Sequence, residues 1–544
     1  WLMNNGFELA TDKTRVMLLA KAPWRHLGPR DKIRLGVFGN LEPQKHLKIV
    51  GVTYDPTRNF KRHIENVCQS AYRSMNLLRV LASRRFGVST DTLLKLHESL
   101  VLPRLEYGSV VYDKGKTTYL KRLETTHNEG IRISLRAFRT TRIENLLNVA
   151  GFTDMKSRRL NRLLNIRSKM RTLHTRLPPF NFNAISNERE PTYVKHKNLL
   201  LNGGLGLTEA RAVLRDAVTP ESCHCPSIPF WTLKRPALDL SLLTCHNNIS
   251  NSQLLATFND IISNTYNDYM QITIETSKRN HLYGILWSTV IHGHTEIGGY
   301  MTRFNSTHSA MSYALLQSIK YIKNTVANSN STCNHNNKFI IFCKDINIIT
   351  KLTYVTHHSE TKFILMSELL NDIISTHNSR ITIMYAPTSC NNRQIHTPGQ
   401  VTHTNLKMSL SDVKLLNKQL TTDEFMCNVI SNNSFTSQHK KTLKRHYLPI
   451  DFDIDEQRII NRLRCGHTRW SNEYMFETNE QLRIRKRACD CGEQRNVTHL
   501  LNNCLLHSNH RATYGVSVSK LFGNHQQLLD ILNFVKSIGY TNNL

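Results

Sequence analysis

Four residues near the end of this 544-residue chain have the types and spacing of a metal shell: Cys489-x-Cys491-x7-His499-x4-Cys504. Three thiolates and one imidazole complete a tetrahedral zinc site. The Cys-x-Cys step is tighter than the usual Cys-x2-Cys, but Gly492 in "CDCG" supplies a turn. The run "VTHLLNNC" puts His499 and Cys504 five residues apart, within reach of each other on a helix and its end. Zinc is therefore the expected ion. Cys465, His467 and His507 are spare candidates, although a lone histidine is more often an ordinary surface or core residue. A second short cluster, Cys223-His224-Cys225, is too short to close a site by itself. The twelve cysteines are mostly scattered singly, and no apolar run is long enough to span a bilayer. That usage fits a reducing compartment, nucleus or cytoplasm, with thiols free or on metal.

A second chemistry is suggested by "MQITIETSK", residues 270–278. Ile272 and Ile274 alternate with polar neighbours, as in a half-buried strand. Glu275 at its end reads either as a metal ligand or as a solvated strand end. Two-metal hydrolysis needs several carboxylates converging on hard cations. Residues 297–344 and 373–411 contain no Asp or Glu, and no Asp-Asp pair occurs anywhere in the chain. The solvated strand end is the expected reading.

These residues sit in a strongly basic chain, with a net charge of +30 and a pI near 9.8. Such an excess calls for an anionic partner, and nucleic acid is the usual one. The charge is concentrated: residues 56–176 hold 25 Lys and Arg against 9 Asp and Glu, a net of +16, and residues 155–187 hold no acid. In "RRLNRLLNIRSKMRTL", Leu160, Leu163, Leu164 and Met170 make one helical stripe. Arg158, Arg159, Arg162, Arg167 and Lys169 fill the rest, as on a phosphate-tracking surface.

The elements follow from periodicity. Residues 1–55 read as short β pieces, "KTRVMLLA" and "LKIVGVTYD" among them, and residues 56–215 as helices. Residues 216–265 read as a linker. Residues 266–400 read as β-β-β-α-β-α-β. Residues 401–450, rich in Asn and Thr, read as a second linker, and residues 451–544 as a small Cys/His domain. The expected class is multidomain α+β, with a helical region, a mixed five-stranded α/β domain and a Cys/His tail.

The order of several segments resembles the C-terminal part of the reverse transcriptase of jockey-like non-LTR retrotransposons. "WLMNNGFELATDKTRVML" with Lys13-Thr14, and "LKIVGVTYD" with Val50-Gly51-Val52, resemble the end of the polymerase palm and its primer-gripping hairpin. "HIENVCQSA", "LVLPRLEYGSVVY", "LKRLETTHNEGIRISL" and "RTTRIENLLNVAGF" resemble the thumb and connection. Residues 266–400 resemble the RNase H domain, and Cys489, Cys491, His499 and Cys504 the terminal Cys-Cys-His-Cys element. The resemblance implies an RNA-directed DNA polymerase working on RNA, DNA or their hybrid. It assigns Lys13 to assisting pyrophosphate departure and implies magnesium in the polymerase and RNase H sites.

This sequence departs from that pattern where the chemistry lies. The polymerase motif Tyr-x-Asp-Asp belongs upstream of the Trp-Leu element at which the chain opens. Of the RNase H acids only Glu275 and Asp345 remain as relic candidates. Ala314 and Lys344 stand at the second and third acid positions, and His396 near the fourth. The opening at Trp1 suggests a fragment of a longer reading frame. The expected function is a catalytically inactive, nucleic-acid-binding remnant. The alternatives are a piece of an active element with its polymerase motif upstream, or a domesticated binding protein.

Overall fold

The computed structural model describes chiefly residues 40–172, 228–387 and 408–541, apart from short breaks, with a few shorter stretches before and between them. Cys223, His224, Cys225 and His396 lie outside the described residues, as do residues 173–215 of the expected helical region. The chain forms two units, Trp1–Leu163 with Gln419–Leu544, and Leu164–Lys418. It is mixed α/β.

The first unit begins with sparse β structure. Among the described residues of "KTRVMLLA", Val16 alone pairs, bridging to Pro43. "LKIVGVTYD" forms the expected hairpin, β1 (Leu47–Ile49) against β2 (Val52–Tyr54). Its two-residue turn has positive φ at both positions, 45° at Val50 and 81° at Gly51. That is the combination the strand twist favours but a β-branched residue resists.

Helix α1 (Lys61–Leu81) buries Ile64, Cys68, Ala71, Met75 and Leu78 at three- and four-residue steps. Each such large side chain removed from water contributes roughly 1.5–3 kcal/mol. They pack with α2 (Thr90–Leu96), α3 (Thr117–Leu135) and α4 (Ile143–Ala150). Gly151, at φ 73°, ends α4 in the left-handed conformation that an L side chain resists. Helix α5 (Met155–Thr172) follows.

The same core takes in Phe425, Met426 and Val429. These lie on a 22-residue helix, Leu410–Ser431, inside what reads from sequence as the 401–450 linker. Further along that supposed linker, Lys440 Nζ and Arg445 Nε donate to Asn148 O and Ala150 O, the carbonyls at the end of α4. Cations suit that negative helix end.

The tail is equally tied in. Asn145 Nδ2 donates to Cys465 O (3.0 Å), and Gln457 Oε1 accepts from Thr90 N (2.8 Å). Residues 451–544 therefore share a unit with helices α1–α4 instead of standing apart. Their own core joins Ile460, Leu463, Leu500, Leu501, Leu528 and Ile531 to Cys489 and Cys504.

The second unit is a seven-stranded sheet where five strands were expected. Its strands are β3 (Ala237–Asp239), β4 (Met270–Lys278), β5 (Ile285–Ile291), β6 (His294–Met301), β7 (Lys338–Cys343), β8 (Arg380–Tyr385) and β9 (Val401–His403). Their spatial order is β9-β6-β5-β4-β7-β8-β3. β5 runs antiparallel to both β4 and β6, and the remaining pairs are parallel.

Helices Thr307–Asn328, Ile346–Thr353 and Thr361–Thr376 cover one face, packing Ala314, Leu315 and Phe363 on Ile272, Ile274, Ile341 and Ile383. The other face holds Ile340, Phe342 and Met384 under Leu242 and Leu254. Leu242 and Leu254 lie on helices Ser241–Cys245 and Asn251–Thr265. Strand β3 and both of these helices come from residues 216–265, so that stretch is part of the sheet unit and not a linker.

Candidate functional site

The Cys/His residues are assembled by two local devices. Cys489 N donates to Glu493 O (2.6 Å) and Gly492 N to Cys489 O (2.8 Å). With Gly492 at φ 93° this closes a tight loop that turns Cys489 and Cys491 inward. The second device is a single wide helical turn, His499–Asn503, closed by Cys504 N donating to His499 O (2.8 Å). It lays His499 and Cys504 against the loop.

The four ligand atoms lie within 4.8 Å of one another. Sγ of Cys504 is 3.7 Å from that of Cys489 and 4.0 Å from that of Cys491. Cys491 Sγ is 3.2 Å from His499 Nε2. A tetrahedron with metal–sulfur bonds of about 2.3 Å has edges of about 3.8 Å, so the cage is the size zinc needs.

The electrostatics agree with the geometry. His499 Nδ1 lies 2.6 Å from Glu493 Oε2. With its proton there, the Nε2 lone pair is left for a metal, and the carboxylate fixes the ring. The Glu493 backbone N–H holds the Cys491 thiol below its usual range, whereas burial pushes Cys504 up to about 11. Crowded buried thiols resist ionising together, and a cation among them removes that obstacle. The cluster could thus hold a metal ion such as zinc. The spare candidates lie elsewhere. Cys465 is in the helical core, His467 Nε2 meets Thr140 Oγ1 (2.8 Å), and His507 packs on Phe534 and Tyr540.

The carboxylates do not assemble. Glu275 sits within β4, opposite Ser288, and is 5 % exposed. It is not a solvated strand end. Because Ile272 and Ile274 face the core under helix Thr307–Asn328, alternation turns Glu275 to the other face. Ala314, at the expected position of the second acid, is buried in the core on the helix side.

Asp345 lies on the helix side too, with Oδ2 2.7 Å from His308 Nδ1 and Oδ1 accepting from Asn347 N (2.9 Å) as a helix N-cap. Burial raises its pKa, but the His308 and Asn347 hydrogen bonds outweigh it and hold the carboxyl below its ordinary value. Glu275 and Asp345 therefore occupy opposite sides of the sheet. Among the described residues the Cys/His cluster is the group that could take a metal, and nothing supports a magnesium site.

The basic helix is a further correction. The leucine stripe of α5 is only half-buried, while Arg159 is 5 % exposed. Arg159 reaches Asp113 (2.9 Å) and Glu124 (3.8 Å). Arg158 and Arg162 both bind the buried carboxylate of Glu106. These three arginines neutralise acids of the fold, and Arg159 is closed to a phosphate. Lys169 is exposed, the Arg167 side chain lies outside the described residues, and Lys13 is exposed in the N-terminal stretch.

Cations that the sequence reading passed over are better placed. Helix Glu480–Arg485 buries none of its residues, and Arg483, Arg485 and Arg487 lie exposed just before Cys489. The run "LRIRKR" was the available signal, four cations in five residues beside the metal ligands. Among the described residues no helix is long and apolar enough to cross a membrane. No protein-family model, curated protein or solved structure matches the chain.

Proposed function

We propose that the chain binds nucleic acid without cutting it, as the C-terminal part of a non-LTR retrotransposon reverse transcriptase whose RNase H-like domain has lost its metal ligands. The observation that carries this reading is the placement of the acids. A mixed sheet of three antiparallel strands, followed by parallel strands that alternate with helices, supports an RNase H-like domain. Glu275 and Asp345 lie on opposite sides of that sheet, and an alanine fills the position between them in the pattern. Two divalent ions about 4 Å apart need several oxygen ligands on one side.

Binding rests on the +30 net charge and the exposed arginines before Cys489. Cys489, Cys491, His499 and Cys504 would hold zinc. When bound, zinc supplies folding free energy to the tail, whose core already contains two of the thiols.

The test is to incubate the full chain with a labelled RNA–DNA hybrid and Mg²⁺. Retention of intact hybrid in a shifted complex is expected. Mg²⁺-dependent cleavage that disappears in Glu275→Gln would overturn the reading.

A further inference from the structure

Beside the metal cluster the first unit carries an open cleft of about 630 Å³, within the range of ligand sites. One wall is the first turn of α4, which has no side-chain cap, with Arg142 at its head. The opposite wall is Gln494, Asn496 and Asn503, and Glu493 and His499 form part of the lining. The third side is Phe435 with Gln438, and Phe435 is the one phenyl ring in the lining, His499 being turned to Cys491 and Glu493. Its position is fixed: a Cβ on Gly466 would come within 2.4 Å of the Phe435 ring, so this glycine, at φ 65°, allows the ring to lie over the backbone.

Each side has a chemistry. A carboxamide presents a donor and an acceptor side by side, as the edge of an unpaired base does. Gln494 and Asn503 are the amides that offer such an edge, since Asn496 already bonds Gln494 O and His499 N, and Gln438 Nε2 donates to Asn433 Oδ1. A half-buried aromatic ring offers a stacking surface to any base. Arg142 is exposed, is the only Lys or Arg in the lining, and sits where uncapped backbone N–H groups also favour an anion. The single carboxylate in the cleft, Glu493, is engaged by His499 and so does not repel a phosphate fully. One cation, one phenyl ring and the Gln494 and Asn503 amides match one nucleotide, not the many phosphates of a duplex.

We propose that this cleft takes one unpaired nucleotide of single-stranded nucleic acid, with its base against Phe435 and the amides and its phosphate toward Arg142. The proposal rests on the nucleic-acid-binding reading and adds where, and in which strand state, the chain grips.

The test uses the full zinc-loaded chain, a labelled 12-nucleotide single strand carrying 4-thiouracil, and a duplex of the same length. Photo-crosslinks from the single strand are expected on peptides containing Phe435 or Gln494. Arg142→Gln combined with Gln494→Ala is expected to weaken single-strand binding about tenfold and leave duplex binding within about twofold. Phe435→Leu, which keeps an apolar side chain over Gly466, should lower the crosslink yield. Crosslinks confined to other peptides, or equal losses for both probes, would overturn the cleft while leaving nucleic-acid binding intact. No binding of either probe by the unaltered chain would overturn the underlying reading instead.

Discussion

At the scale of single residues, the same amino-acid type does different work according to what folds beside it. Arg159 illustrates this. Its position in an acid-free run suggests a phosphate contact, but its partners Asp113 and Glu124 come from distant segments, and no local pattern reveals them. Removing one member of a buried ion pair leaves the other uncompensated, at a cost of about 3–5 kcal/mol. Asp113 is still 31 % exposed and so partly hydrated. Arg159→Ala should therefore destabilise the chain by about 2 kcal/mol, discounted for that exposure, and leave the salt dependence of nucleic-acid binding unchanged. A denaturant titration and a salt series check the two halves. Cys504 shows the opposite case, since spacing alone identified it. Cys504→Ser should abolish stoichiometric zinc, measured by metal analysis, and cost about 4 kcal/mol or more, the range in which loss of a metal falls.

At the scale of elements, two features invite measurement. The β1–β2 turn places Val50 at φ 45° with 84 % of its surface exposed, so neither its backbone nor its side chain gains from valine. Val50→Asn, the residue such turns prefer before Gly51, should stabilise by about 1 kcal/mol, read as a rise in the thermal midpoint. The strap that caps α4 carries a buried lysine. Burial first, then Arg464 and Arg445, pull Lys440 down to about 7. Its folded pKa lies below its unfolded one, so between about pH 7 and 10 the unfolded chain binds the extra proton and stability rises with pH. Lys440→Met should flatten that rise relative to the unaltered chain.

These elements also show what was legible in the sequence. The alternation of Ile272 and Ile274 located β4 correctly. The burial of the second sheet face was hidden, because the helices that cover Ile340, Phe342 and Met384 come from residues 216–265, a stretch whose prolines and Cys-His-Cys read as irregular chain. The capping box Ser250 with Gln253 marked one of those helices and was overlooked. The helix Leu410–Ser431 was obscured by its polar residues, although Val413, Leu416, Phe425, Met426 and Val429 are buried at helical spacing. The Cys/His cluster was legible because its spacing is short and both turns that assemble it are local.

At the scale of the whole molecule, the excess of positive charge has to be reconciled with arginines that are consumed inside the fold. The cations left exposed include those ahead of Cys489, next to the cluster that could hold zinc and the cleft beside it. Binding should therefore depend on the tail as well as on the helices α1–α4 with which it shares a unit. The most direct test of the account is the affinity of the full chain for an RNA–DNA hybrid measured across a salt series. Each neutralised phosphate contributes a slope of roughly −0.7 to −0.9 in log affinity against log salt. The account predicts a linear fall with a slope steeper than about −3, reduced by about 1.5 when Arg483 and Arg485 are both changed to Gln. A binding constant indifferent to salt, or no binding at about 50 mM salt, where such contacts are strong, would contradict it.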